Sequence, residues 1–319
     1  MRPLVLLFAL AAVSPLHRIS TQPILKPQGE GFEAAGVFNP AVVRYDGRFV
    51  MLYRAQDRKG TSRLGYADSP DGVHFKRRPE PVLSPETAYE KDGGVEDPRL
   101  VNIDGRFYLT YTGYNTKDAQ LCLAISTDLI HWDRKGVILP AYKGRWNTGW
   151  TKSGAILDHK VNGKYWMYFM ADAKDRPGQL GVAFSDDLLH WTEALDHPLA
   201  PTRPGMFDSK VAEPGPPPFL TRDGILLIYN GADDALVYRT GWLLLDKNDP
   251  AKILARSDQP IFQPALSWEK TGQVPNVVFV EGLVRDPNRR LFYYGAADKY
   301  VGVVEQAILS PAFPVHNNF

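Results

Sequence analysis

The stretch NPAVVRYDGRFVMLYRA, residues 39–55, reads as a polar start, an apolar strand, an Asp46-Gly47 turn and an aromatic strand. The same pattern returns as DPRLVNIDGRFYLTYTG from Asp97 and KSGAILDHKVNGKYWMYFMAD from Lys152. It returns again as EPGPPPFLTRDGILLIYNGAD from Glu213 and EGLVRDPNRRLFYYGAAD from Glu281. Tyr53, Tyr111, Tyr168, Tyr229 and Tyr294 occupy matching places, at spacings of 58, 57, 61 and 65 residues. A fixed period of this kind marks a repeat architecture. Asp46-Gly47, Asp104-Gly105, Asn162-Gly163 and Asp223-Gly224 supply the positive φ that tight hairpins need, with Asp286-Pro287-Asn288 in the fifth unit.

A second hairpin follows in three units: RLGYADSPDGVHF, LCLAISTDLIHW and LGVAFSDDLLHW. Asp71, Asp128 and Asp187 suit carboxylate-capped turns, with Phe75, Trp132 and Trp191 packed below. The fourth unit departs, reading YRTGWLLLDKNDPAKIL. Four strands per unit and five units predict an all-β fold, a five-bladed β-propeller with a central funnel. The last unit runs short near Val304, so Pro23–Pro27 is expected to supply its outer strand and close the ring.

The chain has 319 residues, with 37 Lys+Arg against 36 Asp+Glu. That balance leaves no basic excess for nucleic-acid binding by counterion release. At 44% hydrophobic residues the chain has ample core. Its one cysteine, Cys122, excludes an internal disulfide or thiolate cluster. Arg2 and the apolar run Leu4–Val13 read as a signal peptide over residues 1–16, with the propeller over 17–319. The expected mature protein is periplasmic or secreted, without membrane attachment. The histidines show no metal spacing, and no metal or cofactor is expected; His74, His131 and His190 recur as a structural position.

In a propeller the first strand of each blade lies nearest the axis. Its start and the end of the second strand share one face. Five starts, Asn39, Asp97, Lys152, Glu213 and Glu281, therefore converge with five ends, Arg54, Thr112, Asp172, Asn230 and Asp298. Carboxylates facing one another across a funnel are the equipment of glycoside cleavage, which needs an acid and a base on opposite sides of an anomeric carbon. Crowded like charges also raise a carboxyl pKa.

Asn39-Pro40-Ala41, Tyr53-Arg54-Ala55, Gly94-Val95-Glu96-Asp97-Pro98-Arg99, Gly215-Pro216-Pro217-Pro218 and Ala296-Ala297-Asp298 resemble glycoside hydrolase family 130. The resemblance runs from about Pro23 to Glu305. It implies inverting cleavage of β-mannosides by phosphate or by water. It implies that Asp97 is the acid, acting through a sugar hydroxyl. It further implies that Asn39, Arg54, Arg63, Glu96 and Asp298 bind the cleaved mannose. Where phosphorylases of the family resemble His-Arg-Pro and Tyr-His-Gly, this chain has Phe169-Met170-Ala171 and Tyr229-Asn230-Gly231. Phosphate needs charge-assisted donors, and an Arg and a His are missing. Glu213 and Glu281 stand where the phosphorylases are uncharged, as in the hydrolase branch, and a carboxylate can deprotonate water. Lys152 and Lys210 keep some basic character nearby. Arg99 reads as structural, and Trp146 and Trp150 as either sugar platforms or blade plugs.

The expectation is an inverting exo-β-1,2-mannosidase with a β-mannoside oligosaccharide and water as its partners. Asp97, Glu213 and Glu281 are its expected catalytic groups; Asp172 is the reserve base. A phosphorylase of the same family and a non-catalytic sugar-binding propeller are the alternatives.

Overall fold

The computed structural model describes residues 16–173, 176–287 and 289–307. The signal peptide expected over residues 1–16 lies, but for Leu16, outside the described residues. Among the described residues, apart from one helical turn, Ser267–Lys270, the regular elements are strands. They form five antiparallel blades. Blade 1 comprises Gly36–Tyr45, Arg48–Gln56, Ser62–Ser69 and Lys76–Arg77. Blade 2 comprises Gly94–Ile103, Arg106–Tyr114, Ala119–Ser126 and Asp133–Leu139. Blade 3 comprises Thr151–Ile156, Tyr165–Ala173, Arg176–Ser185 and Thr192–Glu193. In blade 4 the first strand is split into Val211–Pro214 and Phe219–Leu220 by its proline run, followed by Ile225–Ala232, Tyr238–Leu245 and Ile253–Arg256.

Blade 5 comprises Val278–Arg285, Arg289–Ala296 and Tyr300–Ala307, and the start of the chain supplies its outer edge. His17 and Arg18 pair with Glu305 and Val304, and Leu25 bridges to Val301. The closing segment expected at Pro23–Pro27 is therefore present, and it extends back to His17. The outer edge of the last blade is thus the two-residue strand His17–Arg18, as short as the outer strands of blades 1 and 3.

Five apolar clusters hold the blades together. Each spans one junction, from blades 1 and 2 (Leu52, Tyr111) to blades 5 and 1 (Phe49, Tyr293), so the ring is closed. The hairpins follow their sequence signals. Asp46 and Gly47 have φ of 47° and 72°, and Asp104-Gly105 and Asn162-Gly163 repeat the pattern. Asp71, Asp128 and Asp187 each cap a turn through backbone N–H groups and hold the following histidine through Nδ1.

A buried triad recurs in four blades. Tyr53 donates to Glu33, which Arg77 holds at 3.0 Å. Tyr111 donates to Glu90 (2.8 Å), which takes Arg134. Tyr229 donates to Asp208 (2.6 Å), which takes Arg203 and Arg256. Tyr294 donates to Glu269 (2.8 Å), which takes Arg18. Each acid sits in the segment leading into its blade, so the triad pins that segment to the blade's second and outer strands.

Blade 3 is the exception, and it corrects one sequence assignment. Tyr53, Tyr229 and Tyr294 lie opposite Gly65, Gly241 and Gly302; in blade 3 the residue opposite Gly181 is Phe169, not Tyr168. The repeat position is thus Phe169, one residue on. Glu193 stands where the other blades have arginine, and Asn147 where they have the acid. Asn147 Nδ2 and the Arg145 N–H donate to Glu193 at 2.7 and 3.1 Å.

Candidate active site

The first strands carry β-bulges at the funnel mouth. Register shifts fall at Phe38/Pro40, Glu96/Arg99, Lys152/Ala155 and Val280/Gly282. A bulge re-aims a side chain. Asn39, Asp97 and Ser153 take the left-handed conformation there, at φ of 48°, 50° and 61°. Such backbone is costly for residues other than glycine and clusters at functional sites.

Asn39, Arg54, Asp97, Lys152, Glu213 and Asp298 line a single cavity of about 150 Å³ together with Tyr238, Val274, Val277 and Phe279. Arg54 is its hub. Its guanidinium holds Glu96 at 2.5 Å, Asp97 at 3.1 Å and the Ser62 hydroxyl at 3.0 Å, and lies over Phe38. Asn39 Nδ2 donates to Asp97 Oδ1 at 2.8 Å. The Ser153 hydroxyl donates to Glu213.

The carboxyls around Arg54 divide in their ionisation. Burial alone would raise Asp97, but Arg54, Lys152 and the Asn39 hydrogen bond outweigh it and hold Asp97 below the usual range. Burial and the Asp97 charge push Glu96 up despite Arg54. Asp298 rises to about 6, chiefly by burial. Burial also lowers the case for a charged lysine, yet Glu213 and Asp97 keep Lys152 firmly protonated. As pH falls toward 6 the site therefore takes up a proton at Asp298 in preference to Asp97.

Beneath the cavity the axis is blocked. Arg99 crosses it from blade 2 and donates to the Pro214 and Gly215 carbonyls of blade 4 at 2.6 and 2.9 Å, and to Asp97 O at 3.3 Å. Gly215 admits this close approach: a Cβ there would meet Val280 O at 2.7 Å and Ile228 O at 2.9 Å. Glu281 lies in the same layer, fully buried, with Arg99 Nη1 at 3.7 Å. Neither of its oxygens has a hydrogen-bond partner among the described residues, and burial raises its carboxyl well above the usual value.

The other expected site residues fall elsewhere. Glu281 stands under the cavity instead of lining it, in the layer of Arg99. Glu96 stands behind Arg54. Asn230 is structural: it bridges to Val280 N and O and accepts from Thr240. Arg63 pairs with Asp57 at 2.9 Å in a separate crevice. Lys210 is exposed outside the cavity, and Asp172 sits on the rim, accepting the Gly178 N–H. Thr112 is buried and does not line the cavity. Tyr238, Val274, Val277 and Phe279 were not anticipated. Burial and the Glu213 charge raise the Tyr238 phenol to about 12, so it is a neutral donor.

A propeller with a blind axial pocket of carboxylates, one arginine and one lysine carries the groups that glycoside chemistry uses. The family model described as beta-1,4-mannooligosaccharide phosphorylase matches residues 15–310, and the chain belongs to glycoside hydrolase family 130. It is 43% identical to a 1,2-beta-oligomannan phosphorylase of Thermoanaerobacter sp. (strain X514), over 90% of this chain and 96% of that one. It is 38% identical to a beta-1,2-mannobiose phosphorylase of the same strain, with the same coverage. Among solved structures, a glycosyl hydrolase from Bacteroides ovatus superposes at TM-score 0.85 with 36% identity, covering 94% of this chain and 96% of that one. Another structure comes from work describing glycoside hydrolases within this family that target beta-1,2 mannosidic linkages in Candida mannan. It superposes at TM-score 0.86 with 35% identity, covering 94% of this chain and 96% of that one. The protein is an enzyme of this family acting on β-mannosides.

Proposed function

We propose that the enzyme removes the terminal mannose from β-1,2-linked manno-oligosaccharides, with water as the acceptor. The β-1,2 linkage rests on what the relatives named above act on. Exo action rests on the blind cavity: Arg99 and Glu281 close the axis, so a chain enters by one end only.

The observation that carries water is the charge inventory of the cavity. Asp97, Glu213 and Asp298 face Arg54 and Lys152, with Glu96 and Glu281 immediately behind. Arg54 is already committed to two carboxylates, which leaves Lys152 as the cavity's remaining cation. A phosphate dianion needs several charge-assisted donors and would meet a wall where the Asp97 and Glu213 carboxyls face a single uncommitted cation. Water suits that wall. In this reading Glu213, oriented by Ser153, takes a proton from water as its oxygen bonds to the anomeric carbon. The departing glycosidic oxygen receives a proton through the sugar hydroxyl at Asp97, replenished from Asp298 or Glu96. Glu281 is the neutral neighbour of this base. Attack opposite the leaving group gives α-mannose.

Phosphorolysis is the second reading, and the curated relatives favour it: both of those named are phosphorylases. Lys152, held charged, is the group that would receive phosphate. Incubation with β-1,2-mannobiose, with and without phosphate, separates the two by product. The apolar run Leu4–Val13 supports a further proposal of export from the cytoplasm.

A further inference from the structure

Trp146 and Trp150 share one loop and differ in role. Trp146 stacks on Phe169 at 6.1 Å and 25°, and fills the space over Gly181 within the core between blades 2 and 3. It is a plug. Trp150 packs edge-on against Tyr114 at 5.9 Å, and its indole N–H donates to the Tyr142 hydroxyl at 3.0 Å. Tyr142 in turn donates to Asp118 at 2.9 Å and is 55% exposed. The polar edges of these rings are thus satisfied within the group, and the rings stand partly open to solvent.

Their place in the fold is set by strand direction. First strands run inward from the funnel mouth, and Trp150 precedes the cavity residue Lys152 by two residues. That is about 7 Å farther out at the rise of a strand. Tyr114 likewise ends the second strand of blade 2, beyond Thr112. Asp172 faces Gly149 and Trp150 through backbone bonds at 2.9 and 3.1 Å, and Asp118 lies on the other side of Tyr142. Aromatic faces flanked by carboxylates fit a pyranose, whose C–H face is apolar and whose hydroxyls donate.

We propose that Trp150, Tyr142 and Tyr114 form a distal platform for a sugar ring of the substrate beyond the bond that is cleaved. The proposal rests on the reading that the funnel takes β-linked manno-oligosaccharides by their end. The enclosed cavity seats the terminal sugar; the platform takes a unit farther along the same chain, where the funnel opens. The rings are locked by the Trp150–Tyr142–Asp118 hydrogen bonds, so little side-chain freedom is lost on binding.

The test compares kcat/KM for β-1,2-mannobiose, mannotriose and mannotetraose in the native enzyme, Trp150→Ala and Trp150→Phe. The native enzyme is expected to gain with chain length. Trp150→Ala is expected to lose that gain by about 3- to 10-fold, the scale of an aromatic contact, with Trp150→Phe in between. A native enzyme indifferent to length, or a Trp150→Ala loss equal for all three substrates, overturns the platform. Melting temperature separates a folding defect, and Trp150→Phe keeps the test open if Trp150→Ala does not fold. If the native enzyme cleaves none of the three, the proposed function fails. Calorimetric titration with the same oligosaccharides then reads the platform alone. Length-dependent binding that weakens in Trp150→Phe supports it, and equal binding by both proteins overturns it.

Discussion

Two sets of buried charges coexist in this propeller, and they are built on opposite terms. The radial set is the tyrosine–acid–arginine triads of blades 1, 2, 4 and 5. Each acid there has an arginine and a phenol, and two take backbone N–H groups as well: Glu90 from Glu86 and Thr87, and Glu269 from Ala265 and Leu266. The axial set is Arg54, Glu96, Asp97, Lys152, Glu213, Glu281 and Asp298. It has more carboxylates than cations, three of its acids pushed up by burial, and one of these with no hydrogen-bond partner among the described residues. Buried polar groups in folded proteins are nearly always satisfied, so a group left wanting calls for an explanation. The radial set is satisfied and holds the blades. The axial set keeps its unpaired capacity for a ligand and a moving proton, at a cost in stability.

The contrast is broken or sharpened by substitutions on each side. Asp97→Asn should lower kcat by about 10²–10⁴-fold, the usual worth of general acid–base catalysis, with only a modest loss in melting temperature, since the Asp97 charge is held by Arg54 and Lys152. Activity close to native would remove Asp97 from the chemistry. Glu90→Ala should do the reverse. It takes the acceptor from the Tyr111 hydroxyl and the Glu86 and Thr87 N–H groups and leaves Arg134 only Glu86 and the Ser84 carbonyl; breaking such a buried pair typically costs about 3–5 kcal/mol. Urea denaturation would show this, while the folded fraction keeps its kcat. A silent Glu90→Ala would mean that the triads do not carry the fold.

Glu281→Gln tests the unpaired acid through pH. Its raised carboxyl means that the folded state keeps a proton over a range where the unfolded chain, with a value of about 4.3, has lost it. That proton favours folding below about pH 4.3, and the advantage is lost as pH rises toward the folded value. Glu281→Gln should therefore be more stable than the native chain at neutral pH, with the difference shrinking toward pH 4. A difference independent of pH would contradict the raised carboxyl.

The smallest effect belongs to blade 3. Glu193→Gln keeps an acceptor for Arg145 N and Asn147, and there is no arginine to strand. Its cost should stay below about 1 kcal/mol, the scale of one neutral hydrogen bond. A loss as large as that of Glu90→Ala would make blade 3 another member of the radial set rather than its exception.

Much of this was legible in the sequence. The five Asx-Gly or Asx-Pro turns and the spaced tyrosines give the blades, because hairpin turns demand residues that tolerate positive φ. Asn39, Arg54, Asp97, Lys152, Glu213 and Asp298 follow from register alone, and all line the cavity. Bulges limit that reading. In blade 3 the repeat falls on Phe169 rather than Tyr168, since the bulge at Ser153-Gly154 and a longer hairpin shift the count. Glu281 shares a strand start with Asp97, yet it lies beside Arg99 below the cavity, a difference of depth that register does not report. Tyr238, Val274, Val277 and Phe279 were invisible because three of them lie in or beside the connection into blade 5, which repeats nothing. The triads were half visible: the tyrosines repeat in sequence, but their acids sit at varying distances before each blade.

The central claim is that an acid-rich axial pocket activates water rather than phosphate. The most direct measurement is product identity after incubation with β-1,2-mannobiose, with and without inorganic phosphate, followed by proton NMR from the first turnovers. The account predicts free mannose, formed first as the α-anomer, at a rate indifferent to phosphate. Mannose 1-phosphate as the main product, with turnover that depends on added phosphate, would contradict it.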